Sequence, residues 1–224
     1  IPVPWVIGSG DMLVHALSRE HAGAVELWFA TMRSGAYRWR DGRWTQFLAD
    51  PDRGAVMQLL EQVDRQGKSW LWAASGRGLA RFDGERWTEL RATLGLPEDS
   101  YRSLALVDEG GRAVLWIGSN RHGILRVAVD DPAAPAPAPA AAIPPPPDPT
   151  VYSTLADRQG RIYVCTNNGV QQLTPTATGY ASRVFRRRDG LVHDECNTHS
   201  QLVDSADRYW AGTLGGLGVF DPQI

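Results

Sequence analysis

One short pattern recurs five times along the chain: an aromatic residue on an apolar run, followed six or seven residues later by Gly. The aromatic residues are Trp28, Trp72, Trp116, Tyr163 and Trp210, and the glycines are Gly35, Gly78, Gly123, Gly169 and Gly216. Successive aromatics are separated by 44, 44, 47 and 47 residues. A fixed spacing of this size indicates an array of one supersecondary unit, so the unit decides the fold.

The second copy shows the plan of the unit most clearly. The turn Asp64-Arg65-Gln66-Gly67 has Asp first and Gly last, which is typical of a type I turn, and Asp83-Gly84 is a strong hairpin signal. Between the turns lie short runs that read as strands, at 57–63, 69–74, 79–82 and 86–90. Four strands joined by tight turns in one repeat are the pattern of a propeller blade. The sequence therefore predicts an all-β protein, a β-propeller of four-stranded antiparallel blades.

Five blades are visible, and we expect the chain to be a fragment of a larger propeller. They occupy about 11–50, 55–92, 100–145, 150–188 and 197–222 of a single propeller region that spans 1–224. The Pro-rich stretch 130–149 falls where the third blade needs its fourth strand. Because Pro is tolerated in sheets mainly at edges, we expect a polyproline-like surface excursion there. The fifth blade lacks a fourth strand.

Composition excludes several classes of protein. A formal charge of −2 without a Lys/Arg run argues against nucleic-acid binding, and no apolar stretch is long enough to span a membrane. The two cysteines are too few for a disulfide framework, and the sequence leaves open whether they pair. Cys165 stands where other blades have a small residue, so we interpret it as a small buried hydrophobe. The equivalent residues are Ala30, Ala74, Gly118 and Gly212.

These repeats resemble a known family. Gly95-Leu96-Pro97 and Leu115-Trp116-Ile117-Gly118-Ser119, with Trp210-Ala211-Gly212-Thr213 and Val219-Phe220-Asp221-Pro222 in the last blade, are similar to two-component regulator propeller repeats. Such repeats occur in the sensor regions of bacterial hybrid histidine kinases and diguanylate cyclases. The first blade departs most, since Arg19-Glu20-His21-Ala22-Gly23 replaces its Asp-x-x-Gly turn.

The resemblance implies a periplasmic sensor region of an inner-membrane protein. Such a region binds a small molecule and signals to a cytoplasmic output domain, in a parent that is membrane-anchored and dimeric. The propeller itself would then be no enzyme, although the parent would carry a kinase or cyclase domain.

The turns between second and third strands are candidate ligand contacts, because loops on a rigid scaffold commonly carry binding residues. Arg33, Arg77 and Arg121 occupy these turns in three adjacent blades. Guanidinium groups suit carboxylate or sulfate, which points to an anionic ligand such as an acidic sugar. The alternative is that these are solvent-exposed arginines without a partner molecule. The same turns contribute Asn120, Asn167 and Asn168 as candidates.

The connections between blades supply three further candidates, Tyr101, Asn197 and His199. Asn197 has two interpretations: it contacts the ligand, or it anchors its own loop by bonding to the backbone. The surrounding stretch could supply metal ligands, but no tight spacing defines a site, so we predict neither a metal nor a cofactor. That stretch comprises His193, Asp194, Glu195, Cys196 and His199.

No catalytic motif occurs in the sequence, which lacks a GxSxG elbow, a phosphate loop and a closely spaced carboxylate pair. Binding without chemistry is therefore the leading hypothesis. One alternative is a propeller lyase of the streptogramin-inactivating type, in which His193 or His199 would be the base beside a divalent cation. Another is a protein-interaction propeller. In each case we expect the repeated aromatics to pack between blades.

Overall fold

A computed structural model describes residues 11–50, 52 and 54–221. These residues form β-strands joined by turns, with one short 3-10 helix at Arg187–Asp189. Within these ranges, no helix is long and apolar enough to cross a membrane. The chain divides into two compact units, one of Ile1–Tyr101 with Asp131–Ala133 and the other of Arg102–Asp130 with Ala134–Ile224.

The first unit contains two four-stranded antiparallel sheets, blades 1 and 2, each with its strands in chain order. The strands of blade 1 are β1 Leu13–His21, β2 Ala24–Thr31, β3 Ala36–Arg40 and β4 Arg43–Phe47. Those of blade 2 are β5 Val56–Val63, β6 Ser69–Ser75, β7 Gly78–Phe82 and β8 Trp87–Glu89. Each strand predicted for the second repeat is present, with ends that differ by at most one residue.

The second unit contains three sheets, blades 3 to 5, although Tyr101 at the start of blade 3 and Asp131–Ala133 in its last connection group with the first unit. Blade 3 has β9 Tyr101–Asp108, β10 Ala113–Ser119, β11 Ile124–Ala128 and β12 Ala136–Pro137. Blade 4 has β13 Val151–Ala156, β14 Ile162–Thr166, β15 Gly169–Thr176 and β16 Gly179–Phe185. Blade 5 has three strands among the described residues: β17 Cys196–Val203, β18 Tyr209–Thr213 and β19 Gly216–Phe220. The sheets therefore confirm an all-β fold of antiparallel propeller blades.

The repeated aromatics form the cores between neighbouring blades. Trp28 of blade 1 is fully buried against blade 2, with its ring 5.1 Å from that of Phe82. In the second unit, Trp116 of blade 3 is buried in one cluster with apolar residues of blade 4, and Tyr163 stacks on Tyr209 of blade 5 at 4.1 Å. The prediction that these aromatics pack between blades is confirmed at these three positions.

The turns that begin with Asp also form hydrogen bonds to nearby aromatic side chains. One carboxylate oxygen of Asp64 accepts the backbone N–H groups of Gln66 and Lys68, both at 2.9 Å, and the other accepts the indole N–H of Trp70 at 2.8 Å. Blade 1 has no Asp at this turn. There Glu26, on the second strand, accepts the indole N–H of Trp28 at 2.9 Å, so a carboxylate still meets the aromatic.

The Pro-rich stretch differs from the expected excursion in one respect, because it contains the short strand β12 paired with β11. Proline has no N–H, so a run of prolines offers few backbone donors, and several carbonyl groups of this stretch accept hydrogen bonds from side chains instead. Arg126 donates to the Pro139 carbonyl at 2.9 Å, and Gln171 donates to the carbonyls of Pro144 and Pro145 at 3.2 and 3.0 Å. The stretch is therefore attached to blades 3 and 4, and an outermost strand with one bonded edge tolerates its prolines.

Candidate functional site

Two of the three turn arginines lie in the first unit, and their surroundings differ. Arg33 is exposed on the turn between β2 and β3, where its backbone N–H donates to Asp11 at 2.9 Å. Arg77 forms ion pairs with Asp50 at 2.5 Å and with Glu89 at 3.0 Å. The hydrogen bond that Arg77 donates to Asp50 is the main cause that raises the pKa of Arg77 above its usual value. Two carboxylates thus offset the positive charge of Arg77, which the sequence suggested as a contact for an anionic ligand.

A cavity of about 250 Å³ lies beside Arg77. Its lining carries three carboxylates and two guanidinium groups, from Asp50, Asp52, Glu89, Arg77 and Arg91. With more acids than bases, this cavity does not favour an anion.

Tyr101 does not belong to the site. Its side chain is fully buried, and its hydroxyl donates to the Pro97 carbonyl at 2.8 Å. Burial raises the pKa of Tyr101 well above its usual value. The assignment of Tyr101 as a ligand contact is wrong by one residue, because adjacent side chains in a strand point to opposite faces. The next residue, Arg102, takes the half-buried position.

Arg102 begins a connected group of polar side chains in the second unit. Its Nε and Nη2 donate to Asn120 Oδ1 at 3.0 and 2.7 Å, and its guanidinium lies 5.2 Å from the ring centroid of Tyr152. Asn120 comes from the turn between β10 and β11, whereas Tyr152 lies on β13 of the next blade. Blades 3 and 4 therefore share a polar surface.

The hydroxyl of Tyr152 extends this surface to blade 5. It lies 2.7 Å from Asn167 Oδ1 and 3.2 Å from Glu195 Oε1, and Asn167 Nδ2 lies 3.5 Å from Asp148. Burial, followed by the charge of Glu195, raises the pKa of Tyr152. The hydroxyl group of Tyr152 has one hydrogen, so it can donate to only one of these two oxygens. The other retains the capacity to accept a bond from a ligand or from water.

We call this group the polar rim. It comprises Arg102, Asn120, Asp148, Tyr152, Asn167 and Glu195. The sequence pointed to Asn120 and Asn167 as ligand contacts, and the structure brings both into the rim. It missed Arg102, Asp148 and Tyr152, and it considered Glu195 only as a metal ligand.

A recurring irregularity explains how Tyr152 reaches the rim. The pairing of β13 with β14 shifts between Val151 and Ser153, and the pairing of β5 with β6 shifts in the same way between Val56 and Gln58. Bulges of this kind bend a strand and redirect a side chain. Alignment of the second residue of each inner strand could have identified Arg102, Tyr152 and Asn197 as equivalent positions.

A disulfide between Cys165 and Cys196 joins β14 of blade 4 to β17 of blade 5, next in sequence to two rim residues. Their Cα atoms are 5.8 Å apart, within the usual range for a disulfide. Cys165 is fully buried, as its position in the repeat predicts, and the pairing that the sequence left open is a disulfide with Cys196. Asn167 follows one cysteine by two residues and Glu195 directly precedes the other, so the bond fixes the spacing of two rim residues.

The remaining candidates lie near the rim in the second unit. Arg121 and Asn168 are exposed, and Asn168 donates to the Pro147 carbonyl at 3.3 Å. Asn197 donates to the Thr213 carbonyl at 3.1 Å, which supports its interpretation as a loop anchor. His199 is half-buried and adopts a left-handed backbone conformation, with φ of 55°, where the pairing of β17 with β18 is irregular.

The residues that the structure describes do not support the metal interpretation. Among the described residues, no group of three or more His, Cys, Asp or Glu side chains is placed to hold a metal ion. Cys196 is engaged in the disulfide, and His193 Nδ1 accepts the backbone N–H of Glu195 at 3.0 Å. His193 therefore presents only its Nε2 to other partners.

Comparisons with known proteins identify the fold. No family model and no curated protein matches the chain. Among solved structures, it is similar to the extracellular domain of the candidate hybrid two-component system BT3049 from B. thetaiotaomicron, with a TM-score of 0.69 and 17% identity over 96% of this chain and 28% of that one. The extracellular domain of another candidate hybrid two-component system from that organism, BT4673, matches with a TM-score of 0.64 and 16% identity, over 97% and 28%.

An enzyme has a related fold as well. The gluconolactonase XC5397 from Xanthomonas campestris matches with a TM-score of 0.54 and 14% identity, over 87% of this chain and 67% of that one. The chain spans just over a quarter of the length of the two extracellular domains, 28% of each. At these identities the comparisons show the fold alone, which is a β-propeller of the kind found in these extracellular domains.

Proposed function

We propose that this chain is a ligand-sensing region of a bacterial transmembrane signalling protein, of the two-component regulator propeller type, and that the polar rim contacts its ligand. The observation that carries the proposal is the hydroxyl of Tyr152, which lies within hydrogen-bonding distance of Asn167 and Glu195 on two different connections. A ligand bound there would touch neighbouring blades together, so binding could change how they pack. The fold shared with the extracellular domains of candidate two-component systems supports this assignment.

The ligand that fits the rim is small and rich in hydroxyl groups. Arg102 and the amides of Asn120 and Asn167 offer donors, and the carboxylates of Asp148 and Glu195 offer acceptors. Ligands with several hydroxyls can use both kinds of partner. An acidic sugar adds a carboxylate or sulfate, for which Arg121 in the same unit is an exposed cation.

The proposed location is the periplasm. A buried disulfide persists in oxidising compartments and is rare in the cytosol, so the bond between Cys165 and Cys196 supports export. The parent protein would then be anchored in the inner membrane and would act as a dimer. The complete coding sequence tests this part, because a sensor continues into a membrane span and an output domain, whereas a lyase ends after its last blade.

A thermal-shift screen with neutral and acidic oligosaccharides tests the binding function. A ligand that binds only the folded state raises Tm by an amount that grows with the logarithm of its concentration relative to its Kd. We expect Tyr152→Phe and Asn167→Ala to reduce the shift. Tyr180→Phe is the matched control, since it removes a hydroxyl from the same unit at a residue that packs on Trp116. A shift that survives both rim substitutions would exclude the rim, and Arg33→Ala, Arg77→Ala and Arg121→Ala test the acidic-sugar component separately.

The proposal assigns no chemistry to the propeller itself. Related folds include a gluconolactonase, so incubation of each hit with the protein, followed by mass spectrometry, provides the check. Unchanged ligand is the expected result. Turnover that is lost in His193→Ala or His199→Ala would favour the lyase alternative instead.

A further inference from the structure

Blade 1 contains a group of charged residues that the rim does not use. Glu26 is fully buried, and one of its carboxylate oxygens accepts Arg19 Nε at 2.8 Å and the indole N–H of Trp28 at 2.9 Å. Its other oxygen lies 3.2 Å from Arg40 Nη1 and 3.4 Å from Arg38 Nη1. Since a carboxylate offers about four acceptor positions, these donors use the capacity of Glu26 completely.

A fourth arginine lies beside this group. Arg40 and Arg43 are directly paired across β3 and β4, so their side chains leave the sheet on the same face. Like charges placed opposite each other in this way destabilise a sheet unless a counter-charge intervenes. Arg43 is exposed and forms no ion pair with any residue that the structure describes. We call Arg38, Arg40 and Arg43 the arginine face of blade 1.

The acids near this face leave part of its charge uncompensated. Arg19 is the main partner of Glu26, with its Nε and Nη2 each 2.8 Å from the same carboxylate oxygen. Its Nη1 donates to the Ser69 hydroxyl, which in turn donates to Glu61. Asp41 lies 3.4 Å from Arg40, but its side chain is 76% exposed. Exposed pairs of this kind are screened by solvent and salt. The guanidinium groups of Arg38, Arg40 and Arg43 therefore share two counter-charges: the exposed carboxylate of Asp41 and the second carboxylate oxygen of Glu26.

The arginine face is also partly preorganised. The guanidinium of Arg38 lies 5.8 Å from the ring centroid of Trp28 and 5.4 Å from that of Phe47. Arg40 is held by Glu26 and by strand pairing. Fixed guanidinium groups lose little conformational entropy when they bind, and their planar geometry matches the oxygens of tetrahedral oxyanions.

We propose that the arginine face of blade 1 binds a tetrahedral oxyanion, a phosphate or sulfate group, between Arg40 and Arg43, with Arg38 as a third donor. Free anions and anionic lipid headgroups share this chemistry. The site is independent of the polar rim, which lies in the other unit.

His21 provides an internal reporter. Burial lowers its pKa, and the nearby charges of Arg19, Arg40 and Arg38 lower it further, while Glu26 opposes them. An oxyanion held by the arginine face would cancel part of that positive field. Titration of the His21 ring protons by NMR, with and without phosphate, should show an upward shift of its pKa.

Titration calorimetry with inorganic phosphate, at constant ionic strength and with chloride as the reference anion, tests the proposal directly. We expect saturable binding that Arg40→Gln and Arg43→Gln each weaken about tenfold, as the loss of a charge-assisted hydrogen-bonded contact would. Arg112→Gln is the matched control, because Arg112 is a half-exposed arginine of blade 3. Since Arg43 is exposed, its variant should keep the fold even if Arg40→Gln does not.

Co-sedimentation with phosphatidylglycerol vesicles, against phosphatidylcholine vesicles, distinguishes the two sources. Phosphate binding that depends on Arg43 supports a free anion. Binding to phosphatidylglycerol alone, again dependent on Arg43, supports a lipid headgroup. Binding to neither, or binding that Arg40→Gln and Arg43→Gln leave unchanged, overturns the proposal.

Discussion

The carboxylate of Asp204 accepts the indole N–H of Trp210 at 2.9 Å. The same carboxylate accepts the backbone N–H groups of Ala206 and Arg208, at 2.9 and 3.0 Å. Asp204 therefore both closes the turn and orients the ring of Trp210. Asp157 bonds to Tyr163 at 3.2 Å in blade 4 by the same arrangement. In blades 4 and 5 the turn that begins with Asp therefore couples the hairpin to the repeated aromatic residue.

Acid should weaken blade 5 through Asp204. The hydrogen bond from Trp210 is the main cause that lowers the pKa of Asp204 to about 2. A carboxyl whose pKa is lower in the folded state contributes stability above its unfolded value of about 4, and this is lost as pH falls towards about 2. We expect Tm to fall over this range in the natural protein and less steeply in Asp204→Asn. Glu85→Gln, at an exposed hairpin residue, should leave the profile unchanged.

Glu26→Gln should be strongly destabilising. The substitution leaves the buried Arg19 and the half-buried Arg38 and Arg40 without their shared counter-charge, which typically costs about 3–5 kcal/mol. Urea unfolding measures this loss. Glu20→Gln, at an exposed residue of the same β1 strand, is the control and should change stability little. Equal midpoints for the two variants would show that the charge cluster is unimportant.

Removal of the disulfide should lower stability in the second unit. The bond closes a loop across a sequence separation of 31 residues, for which loop entropy suggests about 3–4 kcal/mol. We expect Cys165→Ala combined with Cys196→Ala to shift the urea midpoint down, and a reducing agent to shift the natural protein similarly. The double variant should not respond to the reducing agent, and any response would show that another group is involved.

Substitution of the repeated aromatic residue should reduce the free energy of unfolding by different amounts in two of the blades. Trp116 is fully buried among apolar residues of the next blade, so Trp116→Ala should cost about 3–5 kcal/mol. Trp210 occupies the equivalent position in the last blade but is only half-buried, so Trp210→Ala should cost less. Chemical unfolding of both variants gives the comparison. An equal loss would mean that burial against the next blade does not set the energy.

Much of the fold was predictable because its signals are local. The Asp64 and Asp83 turns, and the Trp72 period, each reflect contacts within a few dozen residues, and the repetition of the unit removed ambiguity about strand order. The strand at Ala136–Pro137 was missed because proline is compatible with a strand mainly at the edge of a sheet. That edge is formed by β11, with which the strand pairs, and it cannot be recognised in the sequence alone.

The candidate site was only partly predictable. Loop position alone identified Asn120 and Asn167, but it could not show that Arg77 is offset by Asp50 and Glu89. The assignment of Tyr101 failed because its side chain lies on the buried face of the strand, and a shift of one residue exchanges the two faces. Which face is buried depends on what packs there, and that information does not lie in the strand itself.

The sequence by itself determined the repeating blade, its all-β character and the aromatic core, because these follow from residue spacing and turn chemistry. Only the tertiary structure decided that Cys165 bonds to Cys196, and that Tyr152 meets Asn167 and Glu195. The physical reason is distance: such contacts join residues of different blades, and their geometry exists only after the sheets have packed.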